Sequence, residues 1–274
     1  MVKPPAPVTG CLAPQKNLVL NQNISKAITL VYKVVVALNI GNEMTQSTEP
    51  LSVNTLKTAV DQVIQARKSV KVVGDVDAIP EIPEGFFAEV QEAMKIAGWA
   101  PFHFTAHDTH LDREMNSPVP WRFYALNQTN CLRLIDALIA HPTLGLTKKA
   151  AILRMIAAYG ALVLVTWLPD PDNSKNAEDM ARRELKNEEH IAAAAAATQN
   201  LLLAATARNI DSYWSSGGVL RDAATFELCN IPPQERLLGA IFLAPDMPDR
   251  AGVRPGKLRE LRGMPDQWMR SVTV

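Results

Sequence analysis

Three stretches of the chain hold side chains whose types and spacing could do chemistry. Arg67-Lys68-Ser69-Val70-Lys71 gathers three cations and a hydroxyl in one short run. Arginine presents a planar fork and lysine a point charge, so such a run can hold a phosphate. The same charges at the end of a helix would complement its dipole with no ligand at all. The second stretch is His103-Phe-Thr-Ala-His107-Asp108-Thr-His110-Leu-Asp112. His-x-x-x-His on a helix turns both rings to one face and suits Zn²⁺. Pro101 and the Thr and Asp content instead favour a loop or a single turn. Such a loop would line or gate a substrate site, or be hydrogen-bonded surface. The third is Ala204-Ala-Thr-Ala-Arg-Asn-Ile-Asp-Ser-Tyr-Trp-Ser-Ser-Gly-Gly218, where a run of Ala and Leu ends. A Gly-containing turn there could offer backbone N–H groups to a flat ligand, or serve as a helix cap and loop. No Walker loop, GxGxxG after a strand, GxSxG elbow or HExxH is present.

These stretches need elements to position them. Val53, Leu56, Ala59, Val60, Val63 and Ile64 recur at threes and fours, which predicts a helix over 53–67 with Arg67 in its last turn. A second helix is expected over Glu84–Ala97, with Phe87, Val90, Met94 and Ala97 on one face. Arg122–Leu126 reads as a short strand and Thr129–Ala140 as a helix. Ala161–Trp167 is a continuous apolar run stopped by Pro169, the pattern of a strand covered on both faces. A long helix is expected over 177–209. Its first half is charged, and Ile191–Ala207 is nearly all Ala and Leu, which predicts burial almost all round. Leu237–Leu243 reads as another strand, and 245–274 is polar and Pro-rich. Strands mixed with helices give an α/β or α+β domain.

Composition bounds the partners. The 274 residues carry 28 Lys+Arg against 28 Asp+Glu, so there is no global attraction for nucleic acid. With 47% hydrophobic and 20% charged residues the balance is globular. Cys11, Cys131 and Cys229 are too few and too far apart for a disulfide framework or a CxxC knuckle, so a reducing, cytoplasmic setting is the simplest reading. Residues 1–26 are rich in Pro, Asn and Gln. The apolar run Ala27–Ile40 is interrupted by Lys33 and falls short of the ~20 residues a membrane helix needs. Residues 1–43 are therefore expected to be a tail outside the fold, or an over-extended start with Met44 as the natural first residue. An added strand or arm and a targeting segment are the other readings. The body, 44–274, is expected to be one domain.

Several segments, in order, resemble the FMN-dependent nitroreductase family. Thr198-Gln-Asn-Leu-Leu-Leu-Ala-Ala-Thr-Ala-Arg-Asn-Ile-Asp-Ser-Tyr-Trp214 is similar to its signature helix, roughly Q-N-L-L-L-A-A-x-x-x-G-L-x-x-x-W. Asn116-Ser-Pro-Val-Pro-Trp-Arg-Phe123 resembles N-x-Q-P-W-x-F, and Arg67-Lys-Ser-Val-Lys71 resembles R-R-S-x-R/K. Ala100-Pro101, the segment Ile231–Ile241 and Lys257-Leu-Arg259 also have counterparts. The likeness spans about residues 53–262. It implies an α+β fold, a mostly antiparallel sheet wrapped by helices, in an intertwined homodimer with FMN at the interface. The face of Ile191, Leu202 and Leu203 would then join the dimer core. The resemblance assigns Arg67, Ser69, Lys257 and Arg259, with Lys68 beside them, to the FMN phosphate. It places Lys71 near the flavin N1–C2=O edge, Asn116 on the pyrimidine ring, and Ser216 and Gly217 near N5 and O4. Hydride would come from NADH or NADPH and leave from N5 to a small oxidised acceptor such as a nitroaromatic or quinone, in ping-pong fashion. Phe102 stands where the family carries Ser, and Pro118-Val119 replaces a single Gln. The histidines lie in an insertion over 102–115, where His107, oriented by Asp108, would contact substrate. Two other functions stay open: a flavin-binding sensor or sequestering protein, and a metal-dependent enzyme using His103, His107 and His110.

Overall fold

The computed structural model describes residues 52–112, 114–246, 253–256 and 258–274. The expected tail over 1–43, and Lys257, lie outside the described residues. Contacts divide the chain into two units, Met1–Gln62 and Val63–Val274. The described part of the first is Ser52 and most of helix α1 (Val53–Ala66), whose N-terminus is capped by the Ser52 hydroxyl, which accepts from the Thr55 N–H at 3.2 Å. The helix has the expected apolar spacing, yet none of its residues is buried, and Val53, Leu56, Val60 and Ile64 are exposed.

The second unit is built on a four-stranded antiparallel sheet. Its strands are β2 (Trp121–Asn127), β3 (Ala161–Trp167), β4 (Ile210–Ser215) and β5 (Arg236–Pro245), in the order β2-β3-β5-β4. A separate antiparallel ribbon pairs β1 (Val70–Val72) with β6 (Val253–Pro255). Helices α2 (Phe86–Ala97), α3 (Gln128–Ala140), α4 (Ala151–Ala158), α5 (Ala177–Thr206) and α6 (Ala223–Leu228) cover the sheet. On one face Leu134, Leu138, Leu153, Ile156 and Phe226 pack with Leu162, Leu164 and Phe242. On the other, Val90, Ala93, Leu201 and Ala205 pack with Val163, Val165, Ile241 and Leu243. Alternate residues of β3 thus enter two cores, so its apolar run has no polar break. The architecture is α+β in three layers, as expected.

Differences from the expected elements have local causes. The long helix starts on the Asn176 side chain, which accepts from the Asp179 N–H, and stops at Thr206. Asn209 then takes φ 55, the left-handed region that asparagine tolerates, and the chain leaves directly into β4. From sequence this stretch reads as the end of the helix and a ligand-facing turn or a cap and loop, not as a strand. Helix α4 was missed because its apolar residues merge with those of β3 across Gly160. β6 was missed in the polar tail because it is only three residues long. Within one chain α5 is also not buried all round: Ala193, Ala194, Ala197 and Leu202 are buried, but Ile191 is 38% exposed and Leu203 is intermediate. Leu202 therefore belongs to the intrachain core.

Between β3 and β5 the register slips. Val165 faces Gly239 and Thr166 faces Leu237, so Leu238 is a bulged residue. At Gly239 an added Cβ would lie 2.2 Å from Trp214 Nε1 and 3.0 Å from the Ser215 carbonyl. Gly239→Ala should therefore displace the Trp214 indole and cost about 1–3 kcal/mol, the range for overpacking a filled core. That corresponds to a melting temperature several degrees lower, at about 2–4 °C per kcal/mol for a domain of this size. A variant melting within a degree of the parent would refute the close approach.

Candidate functional site

The basic run over 67–71 leaves α1 and enters β1. Lys71 faces Arg254 in register, and the Gly256 N–H donates to the Ser69 carbonyl at 3.0 Å. Arg259 closes the same corner. Its Nη1 donates to the Arg67 carbonyl at 2.7 Å and its Nη2 to the Gln65 carbonyl, both at the end of α1 where carbonyls lack helical partners. Two basic segments distant in sequence are thereby brought together. Burial lowers the Arg67 pKa, and the nearby Arg259 and Arg262 charges lower it further. No ion pair to Arg67, Arg259 or Arg262 occurs among the described residues. A corner with three guanidinium groups, none of them in an ion pair among the described residues, is suited to an anion of more than one charge.

The corner lies beside the edge strand β4. Ser69 forms a parallel bridge with Ser212, and Lys71 Nζ stands 5.4 Å from the centroid of the Tyr213 ring. β4 runs directly into Ser216-Gly217, so the basic run and this turn share one edge of the sheet. Gly217 has φ 104, and a Cβ there would meet Leu237 Cδ2 at 2.6 Å, so glycine is required. The Gly217 N–H donates to Ser215 Oγ at 3.2 Å, within the turn itself. Arg221 fixes the turn from behind: it donates to the carbonyls of Ser216 at 2.5 Å, Leu237 at 2.5 Å and Leu238 at 2.9 Å. The bulge thus places two carbonyls for Arg221, a residue that no sequence pattern singles out.

Asn116 is elsewhere. It is exposed in the loop before β2, and β2 is the edge strand opposite β4. Three strand spacings of about 4.8 Å put roughly 14 Å between the two edges. One chain therefore brings Arg67, Lys68, Ser69, Lys71, Ser216, Gly217 and Arg259 to one edge and leaves Asn116 at the other.

The loop that carries Asn116 is shaped by Arg122, which sequence reading treated only as a strand residue. Its side chain is buried, and it donates to five backbone carbonyls: Val119 and Trp121 at 2.8 Å, Met115 and Ser117 at 3.1 Å, and His110 at 3.3 Å. Two of these flank Asn116. The histidines do not converge. His103 pairs with Glu189 at 3.4 Å on the surface. His107 caps the short turn Asp108–His110, its Nδ1 held by Thr109 rather than by Asp108. His110 is buried with Nε2 2.7 Å from the Pro169 carbonyl. Among the described residues no group of three His, Cys, Asp or Glu side chains could hold a metal ion. The metal reading fails because the loop is not a helix, so the i, i+4 face does not form. No described helix is long and apolar enough to cross a membrane.

Comparison with known proteins adds to this geometry. The Nitroreductase family model matches residues 77–244. Among solved structures, a nitroreductase-like family protein from Bacillus cereus is 21% identical, covering 81% of this chain and 98% of its own, with a TM-score of 0.50. A nitroreductase with bound FMN from Bacteroides fragilis NCTC 9343 is 19% identical over 70% of this chain and 90% of its own, with a TM-score of 0.43. A search of curated proteins finds no match.

Proposed function

The chain belongs to the nitroreductase family, and from that premise we propose that it is an FMN-dependent oxidoreductase working as a homodimer. When bound, FMN would supply hydride chemistry at N5, taking hydride from NADH or NADPH and passing it to a small oxidised acceptor, such as a nitroaromatic or quinone, in ping-pong order. The observation that carries this reading is the corner of Arg67, Arg259 and Arg262, three like charges that a phosphate would satisfy. Arg67, Lys68 and Ser69 bind the phosphate, with Lys257 and Arg259 completing the set. Lys71, which follows them on β1, sets a positive charge beside the flavin N1–C2=O edge, where reduction builds up negative charge. Ser216 and the glycine turn approach N5 and O4 through the backbone. Asn116 stands at the far edge, so for it to reach the same flavin it must come from a second copy of the chain.

The second copy has other support. Ile191 on α5 is exposed, and the C-terminal segment leaves Leu258, Leu261, Met264, Trp268 and Met269 open to solvent. Apolar side chains in such number are covered in most soluble proteins. Sedimentation at micromolar concentration should give a species of about twice the chain's mass, and a truncation ending at Gly256 should shift it toward monomer. A clean monomer that still binds flavin would overturn the two-chain site.

The decisive experiment on activity is the visible spectrum of the purified protein under argon. Flavin absorbance should be present, bleach on adding NADH or NADPH, and return on adding a quinone. A protein that takes up no FMN would refute the proposal. A yellow protein that neither nucleotide bleaches would leave the sensor or sequestering role.

A further inference from the structure

Lys71 is half-buried on β1, between Val70 and Val72, whose side chains enter the core. A lysine carries its charge on a long flexible stem, so the charge has a defined place only where something holds it. A carboxylate would be the common partner, yet among the described residues Lys71 makes no ion pair. What faces its ammonium is the Tyr213 ring on β4, with Nζ 5.4 Å from the ring centroid. That is inside the distance of about 6 Å at which the negative face of a ring attracts a cation.

Both ends of this contact are tied to the core. Tyr213 pairs with Phe242 across β4 and β5, and their ring centroids are 6.2 Å apart. Phe242 is buried and lies 5.3 Å from the Tyr159 ring. The Tyr159 hydroxyl donates to the Val70 carbonyl and accepts from the Val72 N–H at 2.9 Å, on either side of Lys71. Tyr159 thus fixes the root of the lysine and Tyr213 its tip, with Phe242 between them. A ring differs from a carboxylate in one respect that matters here. A carboxylate cancels the charge it positions, whereas a ring face holds the ammonium and leaves it a net cation.

We propose that Tyr213 is a positioning residue for Lys71, holding the ammonium in place and uncancelled as the cation for the electron-rich edge of reduced flavin. This role rests on the flavin reading above. A fixed cation favours the cofactor more when it carries the added negative charge than when it is oxidised. The protein should therefore prefer reduced over oxidised FMN, and Tyr213 should account for part of that preference.

Two measurements test this: potentiometry of the FMN-loaded protein against a reference dye, and NMR of the flavin-free protein. Tyr213→Leu should cut the preference for reduced FMN about fivefold, which makes the potential about 20 mV more negative at about 30 mV per tenfold. Lys71→Gln should cut it about tenfold, or about 30 mV. Tyr213→Phe keeps the ring face and should keep the parent potential. Tyr213→Leu added to Lys71→Gln should shift the potential no further, because the ring then has no cation to hold. A ring that only filled the edge of the core would lower the melting temperature in both backgrounds and leave the potential alone. In the flavin-free parent, the ε-methylene resonance missing from Lys71→Gln should lie upfield, under the Tyr213 ring. That reading needs no change at Tyr213, so it stands even if Tyr213→Leu does not fold. An unshifted Lys71 resonance, a parental potential in folded Tyr213→Leu, or a further shift in the double variant would each overturn the role of Tyr213 alone. A protein that takes up no FMN would overturn the flavin reading and this role with it.

Discussion

Arg122→Met should lower the melting temperature by on the order of 10 °C and open the loop over 110–119 to proteolysis. The arginine is buried and gathers five carbonyls. Methionine fills comparable volume and donates nothing, so each buried carbonyl must go unpaired or admit water. An unpaired buried group costs about 1–3 kcal/mol. With water meeting part of the demand, a total of about 3–5 kcal/mol is expected, in the range of large single-site effects. At about 2–4 °C per kcal/mol this gives the stated shift. Arg122→Lys should fall between, because one ammonium has three donors for five acceptors. Differential scanning calorimetry with limited trypsin digestion measures both effects. Equal melting of Arg122→Met and parent would show that the loop holds its shape without the clamp. Because Met115 and Ser117 flank Asn116, the same variant should also hold flavin less tightly.

Arg67→Ala should weaken FMN binding by about 1.5–3 kcal/mol, roughly 10- to 150-fold, the value of hydrogen bonds to a charged partner. The apoprotein should respond in the opposite direction. Arg67 sits among Arg259 and Arg262, and their charges disfavour its own. Removing it relieves repulsion, so the flavin-free variant should melt at the parent's temperature or slightly above. A purely structural arginine would do the reverse, since its loss would cost the apoprotein stability and leave flavin affinity to follow. Fluorescence titration with FMN and melting of flavin-free protein separate the two cases. Arg67→Ala holding FMN as tightly as the parent would remove Arg67 from the phosphate site. Arg259 is the less informative position, because its Nη atoms bind the carbonyls that end α1, and a change there alters the corner's shape as well as its charge.

Much of the fold was legible because its strongest signals are long and local. β3 is apolar at every position on account of its two cores, and α3 and α5 carry helical spacing with asparagine caps. The strands whose pairing was not legible owe it to distant segments. β4 follows a helix through an asparagine at φ 55, and β1 is three residues held by β6. Nothing within either stretch says which segment it pairs with. The basic run over 67–71 was visible, as was the glycine turn at 217. Their adjacency was not, because it depends on a parallel bridge between Ser69 and Ser212. Arg221 and Arg122 were invisible as site residues for a related reason. Each acts on backbone carbonyls, which every residue has, so no side-chain pattern reports them. The histidines were over-read: their spacing suggested a shared task, and the fold gives each a different partner.

Tyr159 ties β1 to the main body. Its ring lies 5.3 Å from Phe242 in the core, its hydroxyl donates to the Val70 carbonyl, and it accepts from the Val72 N–H at 2.9 Å. A two-stranded ribbon alone would fray, and its amides would trade their hydrogens for deuterium within seconds to minutes. Anchored in this way, the Val72 amide can exchange only when the Tyr159 ring leaves the core, so it should exchange as slowly as the amides of β3 and β5. The charged corner next to it then inherits the rigidity of the sheet, and an anion arriving there meets a surface already in its binding shape.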